Sequence, residues 1–234
     1  MNLLLQIVSI AGTFFIFELC KKVYGRWNVV WLSPILTCSV ILISLLAIFH
    51  IPYQTYNGGA KVLTNLLGPA TVSFAVPMHK HFQLLKKHGV EIIVSIAIGS
   101  VAAIGSSFLF AKWMKLSTSL INSLVPRSIT TPIAMDMSRT VGGIPTMTAI
   151  FVIITGLAGT ILGPLLIRIL SIQTITSKGL LLGMGAHGAG ASKAFEIGEQ
   201  EGTFASLAMV VAAIISIILA YTFFPFFTEY SLTD

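Results

Sequence analysis

The stretch TVGGIPTMTAIFVIITGLAGTILGPLLI, residues 140–167, contains no Asp, Glu, Lys or Arg. A helix needs roughly 20 apolar residues to cross a hydrocarbon core, and this run exceeds that. Three further windows are equally free of charge: Trp27 to Ala60, Ile92 to Ala111 and Gly202 to Thr228. Lipid forces each backbone group to be satisfied within its segment, and barrel strands would alternate over about 10 residues. Runs this long and continuous therefore predict an all-α, polytopic integral membrane protein.

Composition agrees. Of 234 residues, 55% are hydrophobic and only 9% charged, whereas a soluble domain carries about 25% charged residues. The net charge of +6 is spread between apolar runs rather than gathered in a stripe, so nucleic acid is not an expected partner. Cys20 and Cys38 are isolated and read as small core hydrophobes, with no disulfide framework or metal site. The run from Met1 to Phe17 has no basic region before it and no small-residue cleavage site after it, and reads as a retained first helix.

The charge-free windows predict helices near 2–20, 29–49, 59–79, 90–112, 145–169 and 203–225. Two stretches between them, 117–143 and 176–200, are apolar enough to enter the membrane but are broken by Pro, Gly and polar residues. The expectation is about eight membrane segments, two of them discontinuous, in one membrane domain over 1–234. Residues 1–112 supply N-terminal helices, and 113–227 supply two units of broken helix plus helix. Basic residues after the first helix (Lys21, Lys22, Arg26) and after the third (Lys80, Lys86, Lys87) place both loops in the cytoplasm. The loop HIPYQTYNGG (50–59) then faces outward as a turn. Beyond residue 112 the orientation stays open.

At an offset of 60 residues the two broken stretches align Ala134-Met135-Asp136 with Ala194-Phe195-Glu196, Gly142 with Gly202 and Thr146 with Ser206. Chance is one explanation for so few identities. The other is an internal repeat of the kind that builds transporters, whose paired helix breaks mark a binding site.

In VPRSITTPIAMDMSRTVGGIP (125–145), Pro126 and Pro132 rule out a continuous helix, and a half-helix from Pro132 to Val141 is expected. Thr130 or Thr131 would cap it with Pro132 at its first position, presenting unpaired N–H groups to an anion near Ser128. Asp136 and Arg139 share a face. They form either a structural ion pair or a functional couple, with Arg139 binding a carboxylate and Asp136 acting as a proton or gating group.

In GMGAHGAGASKAFEIGEQEG (183–202), glycines surround His187, and Gly188 lets the backbone approach a ligand closely. A half-helix from Ser192 to Glu199 would place Lys193, Glu196 and Glu199 near one face. His187 is either a packing histidine or a site residue whose near-neutral titration suits proton coupling. Lys193 with Glu196 is either a paired face or part of the site. A third break, LLGPATVSFAVPMHKH (66–81), carries Pro69 and Pro77, with Thr71 and Ser73 able to satisfy freed backbone groups. The Phe-rich 223–227 reads as lipid-facing. No GxSxG, HExxH or Walker loop is present, so an enzyme is not expected, nor a cofactor or metal.

The segments IPYQTYNGG (51–59), LGPATVSFAVPM (67–78), SITTPIAMDMSRTVGGIP (128–145) and HGAGASKAFEIGEQEGTFASLAM (187–209) together resemble the LrgB/CidB family, over about residues 1–227. That family is the larger partner of the LrgA/CidA holin-like bacterial membrane proteins. The resemblance implies a multi-pass protein of the bacterial cytoplasmic membrane. It implies one of two roles: an antiholin-like regulator of murein hydrolases and lysis, or a transporter of small monocarboxylates such as pyruvate, lactate, glycolate or glycerate. Expected partners are the carboxylate, the lipid bilayer, a second copy of the chain and an LrgA/CidA-type protein. Ser128, Thr130, Thr131, Arg139, His187, Gly188, Ser192 and Lys193 are candidates for binding, and Asp136, His187 and Glu196 for proton coupling or gating. One departure is clear: where the family often has Ser-His and Gly-Thr, this chain has Ala186-His187 and Gly190-Ala191, which removes two hydroxyls.

Overall fold

A computed structural model describes residues 3–27 and 32–231. The start of the helix expected at 29–49 and the side chains of 223–227 lie outside the described residues. All regular structure among the described residues is helical, and the chain separates into two compact units between Ala75 and Val76.

The first unit contains α1 (Leu3–Trp27), α2 (Pro34–Ile48), α3 (Tyr53–Asn65) and α4 (Leu67–Ser73). The turn expected at 50–59 is a correction: Pro52 caps α3, and Asn57-Gly58-Gly59 are helical. The glycine is accommodated because α3 packs on α1, burying Gly59 and Ala60, with Thr13 Oγ1 and Tyr56 Oη 2.7 Å apart. The helix expected over 59–79 is interrupted at Leu66 and Phe74. Each break lies three residues before a proline, Pro69 or Pro77, whose missing N–H and bulky ring disrupt the preceding turn. Ser73 Oγ donates to the Ala70 carbonyl at 2.6 Å, as expected for a side chain beside such a break.

The second unit continues through α5 (Ala75–Lys80), α6 (Phe82–Lys87), α7 (Gly89–Trp113), α8 (Thr118–Leu124), a 3-10 turn (Val125–Ser128), α9 (Thr131–Thr140), α10 (Pro145–Ile169), α11 (Ile175–Ile197) and α12 (Glu199–Ser231). Among the described residues, Gly89–Trp113, Pro145–Ile169 and Glu199–Leu219 are long and apolar enough to cross a membrane.

Two elements go in and come back. In α11 the backbone of His187 is non-helical, and a Cβ on Gly190 would collide with the Leu182 carbonyl, eight residues earlier. Eight residues of straight helix span about 12 Å, so the arms 175–186 and 188–197 fold against each other. The first segment does likewise. Asn122 Nδ2 donates to the Val141 carbonyl at 2.6 Å and the Ile144 N–H donates to Ser123 Oγ at 2.7 Å, so the stretch 122–144, the 3-10 turn and α9 included, goes out from the last turn of α8 and returns to it as a hairpin. The ten residues of α9 reach about 15 Å, half of a ~30 Å core.

Helix α10 joins the two hairpins. Its start runs back along α9, with Thr148 Oγ1 donating to Ser138 Oγ at 2.7 Å and Val152 packed with Ile129 and Ala134. Its end delivers the chain to α11, where Gly163 faces Leu182 and Gly159 faces Ala186. The hairpin mouths therefore lie at opposite ends of α10 and their tips converge near its middle. The first arm of α11 then runs alongside α12 in the same direction: Gly179 meets Glu201 and Phe204, and Gly183 meets the Ala205 backbone. Gly159/Gly163 and Gly179/Gly183 are both small-xxx-small pairs, which let helices in lipid approach backbone to backbone. Since α10 opposes that arm and α12 follows it, the two hairpin-plus-helix units run in opposite directions.

Candidate functional site

The tips of the two hairpins meet around Arg127, Ser128 and His187. The first tip forms because Pro126 lies in the first turn of the 3-10 segment Val125–Ser128 and Ile129 and Thr130 are extended (φ −132, ψ 177 and φ −64, ψ 142) before Thr131 opens α9. Arg127 Nε donates to Ser107 Oγ of α7 at 3.0 Å and Nη1 to Thr155 Oγ1 of α10 at 3.3 Å. A guanidinium has five N–H donors, and these bonds take two. Among the described residues, no carboxylate pairs with this half-buried cation.

The second tip is His187, 4% exposed, with φ 49 and ψ −126. That conformation is open to glycine but costs other residues about 1–3 kcal/mol. His50, Lys115 and Ser171 also have positive φ but are exposed; of the four only His187 is buried. Glycines lie at 185, 188 and 190, so the chain had a permissive residue to hand and placed an imidazole at the strained position. The ring lies in the field of the Arg127 guanidinium and beside the Ser128 backbone. Its Nε2 is buried with no hydrogen-bond partner among the described residues, and so is Ser128 Oγ. Thr155 holds Arg127, and a Cβ on the next residue, Gly156, would sit 3.7 Å from the Ala186 carbonyl. The middle of α10 thus carries both tips.

The remaining sequence candidates divide by their distance along the arms. Thr130 is the N-cap of α9 but makes no side-chain capping bond, and Thr131 opens that helix. Gly188 begins the second arm, 3.9 Å from Met209 Sδ if given a Cβ, and Ser192 Oγ donates back to the Gly188 carbonyl at 3.0 Å. Arg139 lies nine residues along α9 from Thr130, about 13 Å of helix, and pairs with Asp136 at 3.2 Å with both side chains exposed. Lys193 pairs with Glu196 at 2.6 Å, six and nine residues from His187, about 9 and 13 Å along the arm. The expected second half-helix also ends early. Gly198 stops it, and Glu199 opens α12 and accepts from Lys80 Nζ at 2.6 Å instead of sharing a face with Glu196.

The cation at the junction is therefore Arg127, which is not among the residues that the sequence singles out. At the 60-residue offset that aligns the two broken stretches, Arg127 falls opposite His187. Ser107 and Thr155, which hold its guanidinium, carry no signal in a single sequence because hydroxyls on apolar helices mostly bond to their own backbone, as Ser107 Oγ also does to Ala103 at 2.6 Å.

The arrangement can receive one small anion. A guanidinium lies beside an imidazole nitrogen and a hydroxyl that have no partner among the described residues, and a small carboxylate that also carries a hydroxyl could pair with all three.

Comparison with known proteins extends over the same residues. The LrgB-like family matches residues 13–226. The chain is 50% identical to the uncharacterized protein YwbG of Bacillus subtilis (strain 168) over 214 residues, covering 92% of this chain and 95% of that one. It is 37% identical to the uncharacterized protein YxaC of the same organism over 194 residues, 83% and 84% of the two chains. It is 33% identical to the antiholin-like protein LrgB of Bacillus cereus (strain B4264), again over 83% and 84%. No solved structure matches. The chain belongs to the LrgB-like family.

Proposed function

We propose that the chain is a multi-pass protein of the bacterial cytoplasmic membrane, with about eight segments crossing or re-entering the bilayer, that passes a small monocarboxylate between its two hairpin tips. The observation that carries this reading is the half-buried Arg127 beside His187, with no carboxylate partner for the guanidinium and no hydrogen-bond partner for His187 Nε2 or Ser128 Oγ among the described residues. Ionisable residues inside a membrane bundle mark pathways and binding sites, and opposed broken helices are where carriers hold substrates. The acid is of the pyruvate, lactate, glycolate or glycerate type: one charge for Arg127 and one further oxygen for Ser128 or His187. His187 carries the proton in any coupled cycle. The test is uptake of these four acids into proteoliposomes, with and without a pH gradient. Uptake strongly weakened by Arg127→Gln supports the reading, and absence of uptake of all four under both conditions overturns it.

A second reading has support of another kind. A relative at 33% identity is named antiholin-like protein LrgB, and the names of the relatives favour this role and are silent on transport. In it the chain, alone or as a homo-oligomer, acts with an LrgA/CidA-type partner to restrain murein hydrolases and lysis. A deletion strain complemented with Arg127→Gln separates the two. Restored lysis control without carboxylate uptake favours the regulatory role. Loss of both functions together makes lysis control a consequence of the carboxylate site.

A further inference from the structure

Residues 79–88, HKHFQLLKKH, carry three lysines and three histidines and no acid. They form the end of α5 and all of α6, two helices of six residues, about 9 Å each and too short to cross a bilayer. Both lie at the end of the unit where α12 begins: Lys80 donates to Glu199, and the His88 ring packs edge-on against Phe204 with centroids 6.0 Å apart. Arg168 and Lys178, flanking the mouth of the second hairpin, belong to that end as well. Lys112, Lys115 and Arg139 mark the opposite end. The excess of Lys and Arg at the first end orients it toward the cytoplasm.

At that end lies a cavity of about 500 Å³, lined by Met78, His79, Phe82, Leu85, Lys86 and Leu207. Its wall is carbon throughout, the stem of Lys86 included. Lys80 is committed to Glu199, whereas Lys86 has no carboxylate partner among the described residues. Phe82 is 58% exposed on the same surface. An apolar hollow with a cation at its lip, at the cytoplasmic end of membrane helices, matches an amphiphile with a negative head. Anionic lipids are enriched in that leaflet, and basic pockets between helices on that side bind their headgroups.

We propose that this cavity seats an acyl chain of an anionic phospholipid whose headgroup phosphate pairs with Lys86. The site lies at the foot of the second hairpin and is separate from the Arg127–His187 junction, so it stands whether or not the chain moves carboxylates.

The test is native mass spectrometry of the full chain in detergent, titrated with phosphatidylglycerol or phosphatidylcholine of identical acyl chains. Phosphatidylglycerol is expected to be retained more strongly, and Lys86→Gln to weaken it about fivefold, the effect of one interfacial lysine, while leaving phosphatidylcholine unchanged. Leu207→Trp, which fills the hollow, is expected to lower retention of both lipids, and thermal melting confirms that the variant is folded. Arg139→Gln, an exposed cation at the opposite end, is expected to change neither. Equal retention of the two lipids, or a Lys86→Gln protein that binds phosphatidylglycerol like the native chain, overturns the proposal. So does full competition by glycerol phosphate, which would reveal a site for a free anion rather than a lipid.

Discussion

Arg127 and His187 stand sixty residues apart in the chain and meet at the tips of two hairpins that enter the second unit from opposite ends. One brings a permanent positive charge held by Ser107 and Thr155. The other brings a buried ring nitrogen without a partner, in a backbone conformation suited to glycine. Neither feature aids folding by itself, and both are accounted for if an anion binds between them.

Charge at the junction should matter far more than charge at the hairpin mouth. Removing one partner of a charge-assisted hydrogen bond costs about 1.5–3 kcal/mol. Arg127→Gln is therefore expected to raise the KM for carboxylate uptake roughly 10- to 100-fold, since each 1.4 kcal/mol is about tenfold. Arg139→Gln breaks only an exposed pair, for which 0–1 kcal/mol is typical, and is expected to change KM by less than about fivefold. Uptake in proteoliposomes measures both, and the reverse ranking would return the site to Arg139.

His187→Gly separates strain from function. Glycine adopts φ 49, ψ −126 without the side-chain penalty, so the variant is expected to melt no lower than the native protein, or higher by the relief of about 1–3 kcal/mol of local strain. Carboxylate binding is expected to be lost. His187→Ala keeps the strained backbone and also loses the ring, so it is expected to fail on both counts. Thermal melting in detergent with and without ligand reads this. A His187→Gly protein that still binds carboxylate would make the histidine a packing residue.

The packing of α11 on α12 gives a stability prediction with an internal control. A Cβ at Gly183 would enter the Ala205 backbone, whereas one at Gly105 of α7 meets nothing within 4 Å. Gly183→Ala is expected to destabilise the protein by more than 1 kcal/mol, the lower range for overpacking. Gly105→Ala is expected to be neutral, or stabilising by up to about 1 kcal/mol from helix propensity. Guanidinium or thermal unfolding in detergent compares the two.

Charge-free windows were enough to read the long helices, because lipid excludes charge along whole segments and composition alone records it. The breaks were legible too. Pro132 after Thr130-Thr131 predicts the start of α9, and the glycines around His187 predict the bend. Fold-back was not legible, since a kink and a reversal leave the same glycines and prolines in the sequence; only the Gly190–Leu182 contact distinguishes them. The cation at the junction is not legible in the sequence, because spacing along a helix reports neighbours on that helix. Asp136–Arg139 and Lys193–Glu196 were therefore visible as pairs, while Arg127 acquires its meaning from a tip that arrives sixty residues later.

Opposed hairpins also fix which ends of the second unit share a side of the membrane. Gln173 lies between α10 and α11 at the mouth of the second hairpin, and Lys115 between α7 and α8 at the mouth of the first; both are exposed. In a background with Cys20 and Cys38 replaced by serine, Lys115→Cys is expected to react with a membrane-impermeant maleimide added to intact cells. Gln173→Cys is expected to react only after the membrane is permeabilised, because Lys80, Lys86, Lys87, Arg168 and Lys178 hold that end inside. The reverse pattern would invert the unit and place Lys86 in the outer leaflet. Labelling of both residues from one side would contradict the opposed entry of the two hairpins, since α10 could then not join their mouths by crossing once.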